Sequence, residues 1–232
     1  RLAFDMMPTE PAGAPRPTLV LLHGLGRTAR AMRPIERAGR SRGWRVLNLD
    51  YRSRRADIAA HARMLGERLR TEAPEGALSF VTHSLGGIVL RQAVAAGELP
   101  LKRVCRVVML APPNRGSEIA DLWWSDPLLG PIGRRMMGPA LAAVRTVAEA
   151  EVQRLPPVPF ECGIIAGTRS LNPLFSRRIP GPNDGKVAVA RAEVAGMRAL
   201  LTVPHSHTFI MAMPRVIAQT FSFLERGVFA GE

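Results

Sequence analysis

The 232-residue sequence predicts one α/β domain, a mostly parallel sheet of about six strands flanked by helices. Three observations carry this. From residue 18 onward, short apolar runs of strand length alternate with longer segments of helical spacing, the pattern that parallel sheets require. The apolar runs end in Gly, Pro or polar turn residues. A chain of this length that is 47% hydrophobic can bury one large core, so residues 1–232 read as a single domain.

Residues 18–22 form an unbroken apolar run that opens into His23-Gly24-Leu25-Gly26, a buried strand feeding a glycine-rich loop. A helix is expected over 29–41, closed by Gly43. The next strand is 45–50. Asp57 is a suitable N-cap for a second helix running to 71. Residues 78–82 give a strand that leads directly into Ser84, followed by a helix over 88–96 that Gly97 stops. Strands follow at 104–111, ended by Pro112-Pro113, at 160–167, and at 199–203 before Pro204. A closing helix spans 214–226, with Pro214 placed in its first turn. The Pro-rich stretch 8–17 reads as an irregular lead-in.

One segment breaks the alternation. Residues 114–159, about 45 in number, are too many for an ordinary connection between strands, so they form an insertion with helices of its own. It leaves the carboxyl end of a strand, the edge at which open α/β sheets bind ligands. Trp123, Trp124, Leu128, Leu129, Met136 and Met137 lie within it, and the expectation is a small helical lid whose apolar side chains, above all Trp123, Trp124, Met136 and Met137, wall a substrate pocket.

Composition narrows the function classes. The net charge of +13 comes largely from dispersed arginines, which read as solvated helix faces and are compatible with weak association at an anionic membrane surface. Aromatic content is 5%, leaving few stacking platforms, so no nucleic-acid partner is expected. No apolar run approaches the ~18 residues of a membrane span. Cys105 and Cys162 sit in strand-like runs as small buried hydrophobes, and no His or carboxylate is spaced to make a metal site with them. The expectation is a soluble protein, cytoplasmic rather than exported. The chain opens on Arg1 rather than Met, so an upstream signal peptide stays open.

The chemistry centres on Thr82-His83-Ser84-Leu85-Gly86-Gly87. A serine hydroxyl is a weak nucleophile until a base takes its proton and the backbone exposes it. A sharp strand-to-helix turn does the second, and it demands small residues two before and two after the serine. Gly86 meets that demand; Thr82 stands where Gly is usual. His83, adjacent in sequence, points away from Ser84 and reads as scaffold, as does His23.

With Ala111-Pro112-Pro113-Asn114-Arg115-Gly116-Ser117, Asn183-Asp184-Gly185-Lys186-Val187 and a late His, these motifs resemble the α/β-hydrolase superfamily, in particular its small lipases and carboxylesterases, from residue 18 to the end. The resemblance implies a serine nucleophile at Ser84 and an oxyanion hole from the backbone N–H groups of Leu25 and Leu85. It also implies the chain order nucleophile, acid, base, which places the acid at Asp184. Of five histidines, His205 and His207 follow the last strand. His207, preceding the apolar run Phe209-Ile210-Met211, matches the family's base better, and His205 is the alternative. Such a site cleaves carboxylic esters of small-molecule or lipid alcohols through an acyl-enzyme, without metal or cofactor. The same triad also serves amidases, thioesterases and acyltransferases, and a hydrolase-shaped binding protein is a third reading.

Overall fold

The computed structural model describes residues 16–231, so all but the end of the Pro-rich lead-in lies outside the described residues. Six strands form one sheet: Thr18–Leu22 (β1), Val46–Leu49 (β2), Leu78–His83 (β3), Val104–Leu110 (β4), Glu161–Gly167 (β5) and Ala199–Val203 (β6). Their order is β2-β1-β3-β4-β5-β6, and every neighbouring pair is parallel. Each strand matches its sequence expectation to within a residue at either end. This order places β3 beside β1 on the side away from β2, so the chain reverses its winding there. Crevices at such reversals are where open sheets hold ligands.

Side-chain alternation along the strands divides the core in two. Val20, Leu22, Phe80, Val107 and Met109 face one way, onto helices Ile58–Glu72 (α2) and Leu85–Ala95 (α3). Leu19, Leu21, Val81, Val108 and Leu110 face the other way, onto helix Arg33–Ser41 (α1) and the closing helix Pro214–Arg226. Both faces are covered, which is why the strands read as continuous apolar runs rather than alternating ones. Helix α2 begins as its sequence requires, with the Asp57 carboxylate accepting from the Ala60 N–H at 2.8 Å. The closing helix begins at Pro214 as expected. Helix α3 starts three residues earlier than expected, at Leu85 directly after the serine.

The insertion carries helices Glu118–Ser125 and Gly130–Met137 and two short turns, Ala140–Ala143 and Glu151–Arg154. Its two feet are held by a residue that periodicity gave no reason to single out. Arg91, buried on α3, donates to Asn114 O and Oδ1 at 3.2 and 3.1 Å, and to Leu155 O and Pro156 O at 3.2 and 3.1 Å. Burial lowers its pKa to about 10, so it stays charged at neutral pH and each bond is charge-assisted. Arg91→Met leaves these carbonyls unanswered. We expect a loss of about 2–3 kcal/mol of unfolding free energy, read from urea denaturation; a loss under about 0.5 kcal/mol would show that the clamp carries no stability. Among the described residues no helix is long and apolar enough to cross a membrane.

Candidate active site

Ser84 stands between β3 and α3 with φ 52° and ψ −121°, a left-handed backbone that few residues other than glycine adopt. The turn persists because its neighbours are over-determined. The Ser84 N–H donates to Leu110 O at 2.9 Å, and Ser84 O accepts from the Gly87 N–H at 3.0 Å. The need for Gly at 86 has a different source from the one its spacing suggested. A Cβ there would lie 2.7 Å from Leu22 O, so the close approach of β1, not crowding by Thr82, forbids a side chain. Thr82 faces Gly87 instead, where a Cβ would stand 3.2 Å from the Thr82 hydroxyl. Threonine is therefore accommodated where Gly is usual.

Past β5, the Asn183-Asp184-Gly185 turn is pinned from within. Asn183 Oδ1 accepts from the Gly185 N–H at 3.0 Å and from the Ser176 hydroxyl at 2.8 Å, while its amide donates to Gly181 O at 2.9 Å. Asp184 is buried. Its Oδ1 accepts from the Lys186 and Val187 N–H groups at 2.9 and 2.8 Å, and its Oδ2 lies 2.8 Å from His207 Nδ1. The His207 backbone N–H also donates to Asp184 O at 3.1 Å, so the two loops are fastened at both ends. His205 has its N–H on Val203 O at 2.8 Å, and its ring takes no part in this pair.

Ser84 and His207 line one cavity of about 120 Å³, together with Leu25 and Leu85. Leu85 is the first residue of α3, where a backbone N–H has no acceptor within the helix. The loop around Leu25 is held on both sides: Gly24 O accepts from the Arg27 N–H at 3.2 Å, and the Gly26 N–H donates to Ser53 Oγ at 3.0 Å. Behind it, the Tyr51 hydroxyl donates to His23 O at 2.6 Å, and the His23 ring stacks on Tyr51 at 4.3 Å. Tyr51 and Ser53 carried no signal in sequence, because their task exists only once β2 lies beside β1.

The insertion supplies part of the cavity wall, but not with all the side chains expected. Trp123 and Met137 line it; Trp124 and Met136 do not. Consecutive residues on a helix point about 100° apart, so neither adjacent pair can turn both members inward. Trp124 lies under the Arg134 guanidinium, and Met136 is exposed. Leu128 is 82% exposed, and Leu129 also lies outside the lining. Ile119, Leu141 and Val144 complete the apolar wall.

Three further histidines are buried and uncharged. His61 packs edge-on to Tyr51 at 5.0 Å, with Nε2 3.3 Å from Ser53 O; the helix face it occupies turns toward the loop after β2. His83 lies behind the pair, its Nε2 3.0 Å from His207 O, which makes that nitrogen the donor. Burial, first, and then the charge of His207 hold the His83 pKa well below the ordinary imidazole value; burial alone is the leading cause for His23 and His61. Folding therefore keeps all three neutral, whereas the unfolded chain protonates them below about pH 6.5. Unfolding then takes up protons, so this stability is full above that pH and declines as pH falls, by up to about 1.4 kcal/mol per unit for each histidine. The urea midpoint should be lower at pH 5.5 than at 7.5, and His83→Gln should flatten that slope; an equal or higher midpoint at the acid end contradicts the assignment.

Comparison with known proteins places this geometry. Residues 3–148 match the family described as "Domain of unknown function (DUF7379)". No curated protein matches the chain in sequence. Among solved structures, the mature lipase BlEst2 of Bacillus licheniformis is 20% identical with a TM-score of 0.76, over 92% of this chain and 93% of that one. Phospholipase PlaB of Legionella pneumophila is 16% identical with a TM-score of 0.66, over 89% of this chain and 57% of that one. Aspergillus fumigatus lipase B is 12% identical with a TM-score of 0.66, over 92% and 54%. The shared architecture, a six-stranded parallel sheet flanked by helices, is the α/β-hydrolase fold, and by its match over residues 3–148 the chain belongs to the DUF7379 family.

Proposed function

We propose that this chain is a serine hydrolase that cleaves carboxylic esters through an acyl-enzyme on Ser84. The observation that carries the reading is the convergence of three separate loops on one largely apolar cavity: Ser84 in its strained turn and His207 both line it, and Asp184 is bonded to the His207 ring at 2.8 Å. The fold it shares with several lipases adds support.

The steps follow from these positions. His207 Nδ1–H donates to Asp184, which leaves Nε2 as the unprotonated nitrogen of the neutral ring. Nε2 takes the Ser84 proton as the serine oxygen attacks the ester carbonyl. The imidazolium so formed faces a carboxylate whose other oxygen is already held by two backbone amides. Negative charge develops on the former carbonyl oxygen, where the N–H groups of Leu25 and Leu85 stabilise it. One such donor is worth about 10²–10³ in rate. The imidazolium then protonates the departing alcohol, and water, activated by the same histidine, releases the acid and restores Ser84. The insertion 114–159 acts as the lid, its Trp123, Met137, Leu141 and Val144 forming the wall for the acyl group.

The test is a panel of p-nitrophenyl esters of increasing acyl length, run beside matched anilides and thioesters, with fluorophosphonate labelling of the serine. Ester turnover and labelling that disappear together in Ser84→Ala are the expected result. Labelling without turnover of any ester would reassign the site to amide or thioester substrates, and absence of labelling would point to a binding protein.

A further inference from the structure

The cavity that holds Ser84 is apolar over most of its wall, yet two cations line it, Arg27 and Lys186. They come from separate loops: Arg27 closes the loop after β1, and Lys186 follows the Asp184 turn. No Asp or Glu side chain lines the cavity. Among the described residues neither cation forms an ion pair, although several other arginines do. Arg27 is held in place by its guanidinium bond to Thr208 O at 3.1 Å, which fixes it against the segment that carries His207. Asp184, the acid nearest Lys186 in sequence, has both oxygens occupied by His207 and by backbone amides.

This arrangement stores like charges. Desolvation, and after it the charge of Arg27, lowers the Lys186 pKa, with Asp184 pulling less strongly the other way, and both cations act on His83 in the same sense. Two like charges that no carboxylate of the cavity wall balances repel each other in the empty site, and an entering anion relieves that repulsion.

We infer that Arg27 and Lys186 select acyl esters that carry an anionic oxyacid group, a phosphate or a carboxylate, close to the ester bond. The inference rests on the ester-hydrolase reading. The apolar wall takes the acyl chain, and the two cations take the anion at the cavity mouth. Arg27 and Lys186 are specificity residues here, with no part in the proton transfers.

The experiment compares kcat/KM for three esters of one acyl chain, below their aggregation limits: 1-octanoylglycerol, 1-octanoylglycerol 3-phosphate and 3-octanoylglycerate. At about 20 mM ionic strength an anionic ester should exceed the neutral one by roughly tenfold, the scale of one charge-assisted hydrogen bond. The advantage should shrink in about 0.5 M salt. The anionic-to-neutral ratio should fall to about one in Arg27→Met/Lys186→Met, and partway in Lys186→Gln, which spares the loop packing of Arg27. Lys102→Met, ahead of β4 at the far end of the sheet, should keep the wild-type ratio. Preference for the phosphate ester alone, or for the carboxylate alone, supports the inference and names the anion. A neutral ester handled as well as both anionic ones overturns it while leaving the hydrolase reading intact. Should no ester be hydrolysed, the hydrolase reading fails, and calorimetry with octyl phosphate on Ser84→Ala decides the cation pair by itself: binding weakened about tenfold by the double substitution supports it, and unchanged binding overturns it.

Discussion

Ser84→Ala is expected to lower kcat for ester hydrolysis by about 10⁵–10⁶, with His207→Ala close behind, because residues acting as one proton-transfer unit fail together. The structure sharpens the comparison that makes this informative. His205 and His207 are two residues apart and equally available to the eye in sequence, but only the His207 ring meets Asp184. His205→Ala should therefore stay within about threefold of the parent, since among the described residues the acid's ring partner is His207. Stopped assays with a p-nitrophenyl ester, backed by fluorophosphonate labelling, check all three variants. If His205→Ala is the one that silences the enzyme, the base has been misassigned.

Asp184→Asn should cost about 10⁴ in kcat while leaving the fold in place. The reasoning depends on which oxygen is anchored. Oδ1 accepts from the N–H groups of Lys186 and Val187, so the asparagine that replaces Asp184 must keep its carbonyl there. Its NH₂ group is then turned toward His207 Nδ1. A donor facing Nδ1 forces the proton onto Nε2, the nitrogen that must be bare to accept from Ser84. Activity and the pH–rate profile together test this: the loss should persist across the neutral range, because the tautomer and not the ionisation is wrong. An Asp184→Asn variant with near-parent kcat would mean that Asp184 does not orient the base. Thermal unfolding near the parent midpoint would confirm that the effect is not a folding defect.

Much of this was legible in sequence. A sheet covered on both faces needs strands that are apolar throughout, and such runs can be recognised singly, as in residues 18–22 and 104–110. The same holds for local punctuation: Asp57 caps its helix and Pro214 opens the last one because those effects act within a few residues. Ser84, Asp184 and His207 could be placed at strand ends because the order of elements along the chain fixes which loops meet at the sheet edge.

Tertiary structure alone decided the rest. Which of two late histidines meets the acid depends on the path of a loop, and which of two adjacent lid side chains turns inward depends on how a helix is rotated; neither is encoded in spacing. Arg91 ties both ends of the insertion across 23 and 64 residues of sequence, and Tyr51 supports a loop 28 residues before it. These bonds exist only after strands from distant parts of the chain lie side by side. Sequence alone determined an α/β fold with a serine at its ligand edge; the packed structure decided that two cations and no acidic side chain would line the cavity of that serine, because the charge of a site is the sum of side chains that only folding brings together.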